Sequence, residues 1–114
     1  MASEATATAR TIPSTVAELA RFFPEATPVR IPVQFTRAGQ DSNLPEGTVI
    51  EFGTAREVLF ASAAPLEFAD VLRLRNADGS LDIEASVVAV QYHPGKTAVA
   101  ARFLREVPNW IVKP

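Results

Sequence analysis

His93 is the only histidine in the sequence, and with no cysteine anywhere it has no partner with which to hold a zinc ion. It stands directly before Pro94-Gly95, a pair that favours a type II turn, so the spacing predicts an exposed turn residue rather than a metal ligand or a base. Asp41, Ser42 and His93 supply the letters of a catalytic triad, but Ser42 lacks the strand, tight glycine turn and helix that present a nucleophile. The glycines at 39, 47, 53, 79 and 95 are each isolated, which leaves no GxGxxG or P-loop to cradle a phosphate. Carboxylates at Glu46, Glu51, Glu57, Asp70, Asp78, Asp82 and Glu84 fall at turns and outward strand positions, the pattern of a solvated face rather than of an acid–base pair. The expectation is a protein that is not an enzyme and carries no metal or cofactor.

Trp110, with Ile111 and Val112, forms the one aromatic-apolar cluster outside any strand pattern. Such a tail either docks over the end of its own domain or stands exposed as an anchor for a partner, which makes Trp110 and Ile111 candidate partner-binding residues. Formal net charge is −2, pI is near 5.4, and the arginines are spread along the chain. That distribution argues against nucleic acid and against a membrane surface. The first residues have no apolar signal core and no run approaches a membrane span, so the expectation is a cytoplasmic protein.

The elements that must position these residues are mostly strands. Leu81, Ile83, Ala85 and Val87 alternate with Asp82, Glu84 and Ser86, while Val99, Ala101 and Phe103 alternate with Ala100, Arg102 and Leu104 beyond the Pro94-Gly95 turn. This long hairpin is the organising element, with Ile83, Val87, Val99 and Phe103 expected at the centre of the core. After Val87 the apolar phase flips to Val88, Val90 and Tyr92, as at a bulge or in a segment covered on both sides. Ser14 to Pro24 reads as a short capping helix with Ser14 as N-cap, an apolar stripe of Val16, Leu19, Ala20 and Phe23, and a docking place as a barrel lid. Strands are further expected around Val29–Thr36, Thr48–Phe52, Val58–Ala61 and Val71–Arg75, with Ala63 to Leu66 as a turn outward. Pro32 cannot donate to a ladder, so the first strand lies at an edge or turns that position away from its neighbour. The division is a disordered tail over 1–13, a helix over 14–24, a β-barrel over 25–107 and a tail over 108–114.

The run from Arg30 to Phe103 resembles the PilZ domain. The likeness is carried by a first strand bearing an arginine (Arg30-Ile-Pro-Val-Gln-Phe35), the Val58-Leu59-Phe60 strand, the Val71-Leu72-Arg73-Leu74 strand and a long hairpin ending in Arg102-Phe103. It implies a mainly β fold, a six-stranded antiparallel barrel with a short N-terminal helix. It also implies a ligand, cyclic di-GMP, held by RxxxR before the first strand and by D/N-x-S-x-x-G before the Val-Leu-Phe strand. Arginine forks and turn donors suit its phosphates and guanine edges. Here those motifs are eroded. With Arg30 as the second arginine the first falls on Ala26, and with Val58 as anchor the acidic, serine and glycine positions fall on Phe52, Thr54 and Glu57. A carboxylate at Glu57 would repel a diphosphate ligand.

The sequence therefore points to a regulatory or interaction module that binds protein partners and takes cyclic di-GMP weakly or not at all. One alternative is a cyclic di-GMP receptor with an altered site built from Arg30, Arg37, Thr54 and Arg56, three arginines expected near one another. Another is a structural subunit that oligomerises through the Pro32 edge strand or through the C-terminal tail.

Overall fold

The computed structural model describes residues 14–38, 45–108 and 110–113. The tail expected over 1–13 and the pair Asp41-Ser42 lie outside the described residues. One helix, α1 (Thr15–Ala20), is followed by β1 (Thr27–Arg37), β2 (Glu46–Gly53), β3 (Glu57–Ser62), β4 (Val71–Asn76), β5 (Asp82–His93) and β6 (Lys96–Phe103). The six strands close into an antiparallel barrel in the order β1-β2-β3-β6-β5-β4.

The alternation read from the sequence sets which side chains enter the barrel. Val33, Phe35, Ile50, Val58, Phe60, Leu72, Leu74, Ala85, Val87, Val99 and Ala101 form the interior, with the Phe35 and Phe60 rings 5.4 Å apart. Val87 and Val99 are fully buried as expected, but Ile83 and Phe103 are only half-buried and pack on the margin of that cluster. Phe103 ends β6, so its ring sits at the barrel's end and not at its centre. The phase flip in β5 is a register shift between Val87 and Ala89, and it coincides with burial on both faces. Beyond it, Val90 faces the interior while Val88 and Ala89 join a second, outer cluster.

That outer cluster is where α1 docks. Ser14 Oγ accepts from Ala17 N at 2.9 Å and starts the helix. Val16 and Leu19 then pack on Leu59, Ala98 and Ala100, on the outward faces of β3 and β6. The helix thus covers the flank of the barrel and is no lid, because two alanines let its backbone approach a sheet face that would otherwise be wet apolar surface. The ends are closed by chain outside the sheet. After β3, Leu66 folds back to complete burial instead of turning out, its carbonyl accepting from the Tyr92 hydroxyl at 2.8 Å. At the opposite end Trp110 enters the same core.

Pro32 is not on a free edge strand. It pairs with Val49 of β2, and the β4 ladder begins one residue later at Val33–Asn76, so the proline stands where that ladder stops. Thr27, Pro28, Ile31 and Pro32 pair with β2 and not with β4, with a register shift between Pro28 and Ile31. In the β5–β6 hairpin, Gly95 adopts φ +81°, the value that the third position of a type II turn requires. His93 pairs with Lys96 as the last rung of the ladder, and this makes it half-buried rather than an exposed turn residue. Its Nε2, like Gln91 Oε1 two residues before, is shielded from solvent and has no hydrogen-bond partner among the described residues.

Candidate functional site: the β2–β3 turn and the C-terminal strap

Between Gly53 and Glu57 the chain reverses in a turn that Thr54 builds. Its Oγ1 accepts from the backbone N–H of Arg56 at 3.1 Å and of Glu57 at 2.9 Å, and its own N–H donates to Glu57 O at 2.9 Å. The Thr54 hydroxyl proton goes to Glu57 Oε1. Glu57 Oε2 in turn accepts from Arg102 Nε at 2.9 Å and Nη2 at 2.7 Å, a fork from the neighbouring strand in register with it. Glu57 is therefore not the bare negative charge expected from the sequence. Its carboxylate is buried and compensated, and the compensation engages Arg102.

The strap after β6 closes over this turn. Trp110 is 3% exposed, its Nε1 donates to Thr54 O at 2.7 Å, and its ring meets Phe103 edge-on at 5.4 Å. The fit needs glycine at 53, since a Cβ there would lie 2.8 Å from Trp110 Cζ2. Trp110 is thus no exposed anchor, because its indole is covered by its own barrel; Ile111 beside it stays 64% exposed. Lys113 Nζ donates to Pro108 O at 2.8 Å and ties the strap to itself.

Of the four residues proposed for a ligand mouth, Thr54 and Arg56 share this turn. Arg30 lies exposed in β1, near the β1 end that pairs with Gly53. Arg37 is not with them: it ends β1 at the far end of the barrel, opposite Leu72, and pairs with Asp70 at 3.2 Å. Nine residues of strand lie between it and Thr27, the partner of Gly53, roughly 30 Å of extended chain. The cluster of three arginines expected from the sequence does not form.

Arg102, Arg105 and Lys113, which the sequence analysis did not propose as site residues, complete the site with Arg56. Arg56, Arg102, Arg105 and Lys113 border a cleft of about 570 Å³ whose apolar lining includes Phe103, Val107 and Val112. A smaller cleft of about 360 Å³ adjoins the other side of the turn, between Glu25 and Arg102. Arg102 could have been suspected from its outward phase in β6. Its partner could not, because Glu57 is 45 residues away and only the β3–β6 register brings them together. A larger cleft, about 690 Å³, lies between Pro32, Val49 and Ala77, away from this turn, and Arg75 is its one charged residue. Among the described residues no group of three His, Asp or Glu side chains is placed to hold a metal ion. No helix among them is long and apolar enough to cross a membrane. No family model matches the sequence, and no curated protein is similar to it. The likeness to PilZ domains is carried by the sequence motifs alone.

Proposed function

We propose that this protein is a non-catalytic interaction module of PilZ-like architecture that works in the cytoplasm and has given up cyclic di-GMP as a ligand. The observation that carries the reading is the closure of the β2–β3 turn by the chain's own groups. The Thr54, Glu57 and Arg102 groups that could meet a phosphate or a guanine edge at this turn have internal partners, while the Arg56 guanidinium stays exposed. Thr54 Oγ1 is engaged with two backbone amides and Glu57, Arg102 with Glu57, and the Thr54 carbonyl with the Trp110 indole. A ligand would have to break several of these bonds, each worth about 1 kcal/mol or more, before making any of its own. Arg37, one of the three arginines expected to serve, is held by Asp70 at the far end. Calorimetric titration of the full chain with cyclic di-GMP is the test. The expected outcome is no heat of binding at micromolar protein, and a dissociation constant tighter than about 10 μM would overturn the reading.

A further inference from the structure

We propose that the cleft between the β2–β3 turn and the C-terminal strap is a docking groove for an extended acidic segment of a partner protein, with an aliphatic side chain of that segment seated on the floor. The inference deepens the reading above, that the chain acts by binding a partner. Its first support is charge. In a chain of net charge −2, four cations border this one cleft, against Glu106 at its rim and Glu57, whose carboxylate Arg102 already neutralises. Elsewhere three arginines are tied to carboxylates, Arg37 to Asp70 and both Arg73 and Arg75 to Asp82, whereas Arg21 and Arg30 have no ion pair among the described residues. Arg56 and Arg105 have no ion pair among the described residues, and both are exposed. Lys113 stands exposed at the rim, where its ammonium holds the strap through Pro108 O. A surface that concentrates uncompensated cations around an apolar floor attracts and orients an anionic partner, and desolvation of that floor supplies the affinity.

The nature of the floor decides which anion. A nucleotide base seeks an exposed aromatic face, but Trp110 is 3% exposed and Phe103 meets the indole edge-on. What remains is largely aliphatic, from Val107 and Val112, beside the half-buried Phe103. The cations come from three separate segments, the turn, the end of β6 and the strap. Such a set suits carboxylates spaced along an extended peptide better than one compact phosphate.

The test uses the full chain and two probes. One is a fluorescein-labelled peptide in which aspartates and glutamates flank single valine and leucine residues. The other is the same peptide with lysine in place of every acid. Fluorescence polarisation should show the acidic peptide binding at about 0.01 M ionic strength and weakening several-fold at about 0.15 M, with no binding of the lysine peptide. Amide shifts in ¹⁵N spectra should centre on Arg56, Phe103, Val107 and Val112. The double variant Arg56→Glu, Arg105→Glu should weaken the acidic peptide by about tenfold or more. Both side chains are exposed, so its melting temperature should hold. Arg21→Glu, Lys96→Glu, an equal change of charge elsewhere, should have no such effect. The proposal is overturned if the acidic peptide does not bind, if the lysine peptide binds equally, or if the two double variants lose affinity alike. It is also overturned if inorganic pyrophosphate saturates the same amides and displaces the peptide, which would make this a phosphate site. A parallel titration with cyclic di-GMP separates the two readings: tight binding removes the function proposed above, whereas failure of both ligands removes only this groove.

Discussion

Replacing Trp110 with alanine asks most directly whether the strap is part of the folded barrel. The side chain is 3% exposed, packs on Phe103 and belongs to the interior cluster, and truncating a buried tryptophan costs about 3–5 kcal/mol. Within that sum, the indole bond to Thr54 O contributes about 1 kcal/mol, and its loss leaves a shielded carbonyl without a donor. Trp110→Phe isolates this part, since it keeps most of the apolar area and removes the N–H. We expect losses of about 3–5 kcal/mol for Trp110→Ala and about 1–2 kcal/mol for Trp110→Phe, read by far-ultraviolet circular dichroism in urea. A domain of this size holds about 5–15 kcal/mol in all, so the alanine variant should melt far below the parent. Because Trp110 is the only tryptophan, parent fluorescence reports on this position alone and should be blue-shifted and poorly quenched by iodide. A loss under about 1 kcal/mol for the alanine variant, or equal losses for both variants, would refute the assignment of the strap to the core.

Three further outcomes are expected. Gly53→Ala places a Cβ 2.8 Å from Trp110 Cζ2, so it should destabilise by about 1–3 kcal/mol and move tryptophan emission to the red; unchanged emission would mean that the contact yields freely. Ala69 holds φ +75° in the loop before β4, where a Cβ is strained, so Ala69→Gly should raise stability by about 0.5–1 kcal/mol in urea melts, and a loss would show that the loop relaxes in solution. The hydrogen-bonding Arg73 guanidinium, with the charges of Arg73 and Arg75, holds the Asp82 carboxyl below the usual carboxylate range. A lowered folded value means that this contribution is present above the unfolded value and is lost as pH falls through the folded one. The Asp82 carboxyl titration followed by carbon NMR should therefore move upward in Arg73→Gln, and an unmoved midpoint would show that the pair does not persist in water.

Alternation made the strands legible from the sequence, and even the β5 bulge showed itself as a change of phase after Val87. Placing the helix was harder. The stripe of Val16 and Leu19 announces a docked face but not its target, and the receiving surface of Leu59, Ala98 and Ala100 is assembled only when β3 and β6 pair. Small residues alternating within an apolar run, as in Thr97 to Ala101, were the available sign that β6 is covered on both sides. The candidate site was less legible, because its bonds join distant positions. Thr54 and Arg56 are neighbours in sequence and stay together, but Arg37 is separated from them by the length of β1, and no local pattern reveals which end of a strand a charge will occupy.

The β3–β6 junction also sets an order of events for a chain emerging from the ribosome. Strands β1 and β2 are sequence neighbours, as are β2 and β3, β4 and β5, and β5 and β6, so those ladders can form locally as synthesis proceeds. The seam between β3 and β6 cannot: Glu57 waits for Arg102, 45 residues later, and Thr54 waits for Trp110, 56 residues later. Until then β3, with Leu59 and Phe60 apolar on opposite faces, presents an unpaired edge. A nascent chain stalled before β6 would be the species most prone to associate through that strand and the one that most needs a chaperone.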